Sequence, residues 1–80
     1  MYYLYGSKPR IDKKLAATFD SEQQLLAYVR WATLKTNPDG TAKFEQGSAL
    51  AGYDRWEYSQ EPHPLDDPTS VPHNPTPSML

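Results

Sequence analysis

The chain has 80 residues, no cysteine, and eight basic against ten acidic side chains, for a formal net charge of −2. That length allows one domain with a core barely large enough to offset chain entropy, and leaves little mass for an enzyme cleft. The absence of cysteine excludes a disulfide framework and a thiolate zinc site, and the mildly negative balance argues against a dedicated nucleic-acid binder, which is ordinarily basic.

Residues 2–5 are a short run of strand formers closed by Gly6, and residues 14–19 alternate Leu15, Ala17 and Phe19 against Lys14, Ala16 and Thr18. Together they predict a hairpin. The connection 7–14 holds Pro9 and four basic residues, and reads as a long, solvated loop. A helix start follows: Asp20 is placed to accept from first-turn amides and Gln23 to reach back to its backbone, a capping box. The segment 19–35 is predicted helical, and 36–40, Thr-Asn-Pro-Asp-Gly, is its stop. Residues 41–45 alternate as a short strand. Segment 46–52 suits a hairpin loop or a single helical turn, and 53–60 is a final strand with Trp56 and Tyr58 on one side and Tyr53, Arg55 and Glu57 on the other. From residue 61 onward the prolines at 62, 64, 68, 72, 75 and 77 prevent either helix or sheet from propagating, so 61–80 is expected to be a flexible, disordered tail.

At about 100° per residue, Leu25, Tyr28, Val29, Ala32 and Thr33 gather on one side of the helix with Leu26 at its margin. That stripe should cover the sheet. Ala27, Trp31 and Leu34 fall opposite it and form a second, narrower apolar strip. Either the 46–52 segment or the tail folds over Trp31, or the strip meets a partner. The sheet raises a matching question, because one helix covers one face while both faces of the first strand carry aromatics. Tyr3, Tyr5, Tyr53 and Arg55 are therefore either a half-wet sheet face or a recognition platform.

Residues 15–32 resemble the strand-to-helix passage of integrase arm-type DNA-binding domains in Thr18, Phe19, Asp20 and the cap that follows. Any strand running into a capped helix would use those residues, and strands after the helix depart from that family's order, so no family assignment is made. The basic cluster Lys8, Arg10, Lys13 and Lys14 beside a tyrosine-rich sheet is nonetheless the arrangement of a single-strand binder. His63 and His73 are spaced unlike any compact ligand set, both lie in the tail, and no nucleophile in the folded part has a histidine partner. In the tail, 72–75 satisfies PxxP spacing and 78–80 has the hydroxyl-x-hydrophobic form of a carboxy-terminal recognition motif.

The expectation is an α+β fold in β-β-α-β-β order, with a small three- or four-stranded, mainly antiparallel sheet on one helix over residues 1–60 and the proline-rich tail over 61–80. No apolar run approaches the ~20 residues of a spanning helix, and the first residues lack a secretory pattern, so a soluble cytoplasmic protein is expected. The expected function is a non-enzymatic protein-interaction module, including self-association, with no cofactor, no metal and no small-molecule substrate. Nucleic-acid binding through Lys8, Arg10, Lys13 and Lys14 is the alternative.

Overall fold

A computed structural model describes residues 1–75; residues 76–80, including the 78–80 motif, lie outside the described part. Strand β1, Tyr2–Lys8, pairs antiparallel with β2, Ile11–Phe19. Helix α1 follows over Glu22–Ala32, then β3, Thr33–Thr36, β4, Ala42–Phe44, and β5, Arg55–Ser59. Two sheets result. One has the order β2-β1-β5, antiparallel throughout, and the other is the β3-β4 hairpin. The α+β class and the element order agree with the reading above, with β3 as an added strand. No helix among the described residues is long and apolar enough to cross a membrane.

The helix lies where the periodicity put it, with shifted ends. Its cap is Ser21, whose Oγ accepts from Gln24 N at 3.1 Å, one residue later than expected. Asp20 is engaged elsewhere. The helix stops at Ala32, because Thr33 turns extended and its hydroxyl donates back to Val29 O at 2.8 Å, after which 33–36 pairs with β4. The 37–40 turn, with Gly40 at φ +91, therefore joins two strands and not a helix to a strand. Leu34 consequently lies on β3 and not on the helix.

Leu25, Tyr28, Val29 and Ala32 are buried against Leu4, Ala17 and Phe19 of the sheet, with Phe44 and Leu50 closing the core. Each large side chain so buried contributes about 1.5–3 kcal/mol relative to exposure. Phe19 and Tyr28 meet with ring centroids 5.5 Å apart. Segment 46–52 forms successive turns that deliver Leu50 into the core, and Ala49 N donates to Tyr28 Oη at 2.9 Å. The segment thus meets the helix at Tyr28 on the core side.

The expected long loop at 7–14 is instead the end of the β1-β2 hairpin, turned at Pro9 and Arg10, with Lys8 opposite Ile11. Charged side chains extend as strands there because both faces of the hairpin tip are in water. Two irregularities, between Leu4 and Tyr5 and between Gly6 and Lys8, break the register with β2, and such bulges sharpen the local twist.

Opposite α1, the second face of the sheet is covered by the chain's own carboxy-terminal segment. Apart from a 3-10 turn at Pro68–Ser70 and one bridge, the described part of that segment is irregular, as its prolines dictate. It is nonetheless held to the sheet by side chains. Tyr5 Oη donates to Asp66 Oδ2 at 2.7 Å and accepts from His63 N at 3.1 Å. Thr18 N donates to Pro72 O at 3.0 Å, and Asn74 N to Thr18 O at 2.7 Å, a parallel bridge along the outer edge of β2.

Candidate interaction surfaces

The sequence-derived candidates separate into three places. Tyr5 is 2 % exposed beneath the carboxy-terminal segment, so its ring is not available to a partner in this arrangement. Tyr3 is half-buried on the same face. Tyr53 is not on that face at all. It precedes β5, and its ring occupies the space a side chain on Gly6 would need, on the helix side of β1. Strand alternation does not extend to a residue outside the strand, which is why Tyr53 and Arg55 part company.

The helical strip is likewise divided. Ala27 is exposed on α1, Leu34 is 55 % exposed on β3, and Trp31 is half-buried, its ring 5.4 Å from that of Tyr28. Trp31 thus packs at the margin of its own core.

The basic cluster does not form one surface. Lys13 and Lys14 are adjacent in β2 and face opposite ways. Lys13 stands over the Tyr5 ring, 5.2 Å from its centroid, with Glu57 Oε1 3.7 Å from its Nζ. Lys8, Arg10 and Lys14 are exposed at the hairpin tip.

What remains open is β5. Its five residues are all exposed, and in its sheet it has a single neighbour, β1, paired in unbroken register from Tyr3 opposite Ser59 to Ser7 opposite Arg55. Trp56 and Tyr58 point to the helix side, yet α1 lies over β1 and β2 and leaves each 36 % exposed. Their rings are nearly parallel, 11° apart with centroids separated by 6.1 Å, and Tyr2 extends the row at 6.3 Å from Tyr58. The phenol of Tyr58 is held above its ordinary pKa by desolvation and then by the neighbouring Glu22 carboxylate, so it presents a neutral hydroxyl. Arg55 and Glu57 alternate on the opposite face.

The chain matches no family model, no curated protein and no solved structure.

A cleft of about 420 Å³ lies between the hairpin and the carboxy-terminal segment, lined by Tyr5, Asp12, Lys13, His63, Leu65 and Asp66. Its polar groups are largely spent on one another: Asp66 Oδ2 accepts hydrogen bonds from the Tyr5 hydroxyl and the His63 amide, and His63 Nδ1 accepts from Leu65 N. Burial first, then the Asp66 hydrogen bond, raises the Tyr5 pKa, so the hydroxyl stays protonated and serves as a hydrogen-bond donor. Among the described residues no group of three or more His, Cys, Asp or Glu side chains is arranged to hold a metal ion.

Sequence reasoning placed Trp56 and Tyr58 on one face without selecting them, because nothing in a sequence marks a strand as lying at the edge of its sheet. The alternation of Trp56 and Tyr58 with charged residues was the available signal.

Proposed function

We propose that this protein is a non-enzymatic protein-interaction module that works through β5, whose open side receives an extended segment of polypeptide. The observation that supports this reading is the aromatic row in which Trp56 and Tyr58 of β5 continue Tyr2 of β1, with β5 itself neither covered nor interrupted by proline or a bulge. Natural sheets ordinarily blunt such edges, and strand addition to an open one combines main-chain hydrogen bonds with side-chain contacts on each face. Aromatic rings supply large contact area at small entropic cost, so Trp56 and Tyr58 are the anchors and Arg55 and Glu57 set the charge pattern of what binds.

Selection of a random peptide library against the immobilised protein tests this reading. Enriched peptides should be proline-free, alternate apolar with charged residues, and lose binding to Trp56→Lys. Equal binding to wild type and Trp56→Lys contradicts it. Capture of a fluorescent oligonucleotide, with an affinity that falls steeply as salt rises, would favour the basic hairpin tip instead.

A further inference from the structure

We infer that the segment received by β5 is β5 of a second copy, in an antiparallel pairing centred on Trp56. The inference rests on the reading of β5 as an interaction edge and goes further by naming the occupant and its register.

A two-fold axis perpendicular to a sheet sets one residue of an edge strand opposite its own copy, and residues at equal distances on either side then face each other. Charge decides which residue stands at the centre. Centring on Glu57 opposes two carboxylates, and centring on Arg55 opposes two guanidiniums. Centring on Tyr58 sets Glu57 opposite a serine. Centring on Trp56 sets Arg55 opposite the partner's Glu57 and Glu57 opposite the partner's Arg55. Read backwards, Arg-Trp-Glu becomes Glu-Trp-Arg, so the tripeptide is its own antiparallel complement. Opposed unlike charges stabilise such a pair and like charges weaken it.

The aromatic face agrees. With Trp56 opposite the partner's Trp56, both tyrosines at position 58 lie on the same side of the joined sheet, and rings that are each about one-third exposed in one chain close into a four-ring cluster. The Lys13 pairing of Glu57 is half-exposed and long at 3.7 Å, so it does not prevent Glu57 from engaging Arg55 across the axis. Among the described residues Arg55 forms no salt bridge; its guanidinium lies beside the 37–40 turn, next to Gly40 and in the field of Asp39, and swings from there to meet the partner's Glu57. Pairing runs over Arg55, Trp56 and Glu57 and ends at Asp54, whose carbonyl accepts from Ala42 N at 2.8 Å. So short a contact gives a reversible dimer.

Sedimentation equilibrium of the full chain, from roughly 10 µM to 1 mM as suits so small an interface, is the first test. Wild type should self-associate. Arg55→Glu and Glu57→Arg should each weaken association about tenfold, and the double exchange should restore it to within about threefold, because it rebuilds both pairs with the signs reversed. A double variant no better than the singles overturns the register.

The chain has no cysteine, so disulfide trapping of the dimer gives a second readout, one that reports register. Under mild oxidation an equimolar mixture of Arg55→Cys and Glu57→Cys, both of which keep Trp56, should give the mixed disulfide dimer faster than either variant alone gives its own. The reverse order overturns the centre on Trp56. Wild type that remains monomeric across the range overturns the dimer, while the peptide selection decides independently whether β5 is an interaction edge at all.

Discussion

Gly6 is the residue at which the sheet and the 46–54 connection are locked together. A Cβ there would overlap the Tyr53 ring, so Gly6→Ala must displace that ring or bend β1. Overpacking of this kind costs about 1–3 kcal/mol, and urea unfolding should show a loss in that range. Tyr5 has a different sensitivity. Its folded-state pKa is raised, chiefly by burial and then by Asp66, so the stability it contributes is intact below its ordinary value near 10 and is lost as pH rises through the raised one. Hydrogen exchange should show the His63 amide losing protection in alkali in wild type but not gaining any such step in Tyr5→Phe, which should instead lose about 1 kcal/mol at neutral pH. At this scale the sequence was readable where a regular period applied. Leu25, Tyr28, Val29 and Ala32 are buried as the 100° spacing requires, whereas Tyr53 escaped because it lies outside the strand whose alternation was used to place it.

The ends of the elements were less legible than their interiors, and for a physical reason. Segment 33–36 has no strong helix stop, and what ends α1 at Ala32 is the ladder that Thr33 and Thr36 form with β4, a tertiary competitor that no local pattern displays. That early stop separates Leu34 from Trp31. Trp31→Ala should therefore lower stability, by about 1–3 kcal/mol for a partly buried ring, while leaving the sedimentation behaviour of the chain unchanged. The carboxy-terminal segment has its own latch at the far end of β2. Asn74 Nδ2 donates to Asp20 Oδ2 at 2.7 Å, and His73 lies between Asp20 Oδ1 at 3.1 Å and Thr18 Oγ1 at 2.7 Å. The Asn74 hydrogen bond, with a smaller share from His73, holds the Asp20 carboxyl below its ordinary pKa of 3.8. A depressed folded-state pKa stabilises above the unfolded value and ceases to as pH falls through the folded one. Protection of the Asn74 amide should accordingly be full at neutral pH and decline below about pH 4, with Asp20→Asn removing that decline.

At the scale of the whole molecule, one helix and a proline-rich segment share the work of covering a three-stranded sheet. Composition suggests a flexible, disordered tail in which neither helix nor sheet propagates. Among the described residues the segment forms one 3-10 turn and one bridge, and it lies on the sheet where composition suggests a free tail. The reason is that composition says nothing about whether an irregular chain has side chains placed to bind a surface. Here Asp66, His73 and Asn74 meet Tyr5, Thr18 and Asp20 across 54 or more residues of sequence. The same segment occupies the outer edge of β2 at Thr18, which leaves β5 as the edge open to a partner. The function proposed above therefore depends on the segment being the second layer. Urea unfolding of a fragment ending at Gln60, beside the full chain, measures this most directly. The account predicts that the fragment loses at least about 1 kcal/mol, the scale of a few net hydrogen bonds, and that the Tyr5 ring becomes accessible to modification. An unchanged midpoint with Tyr5 equally protected in both would contradict it.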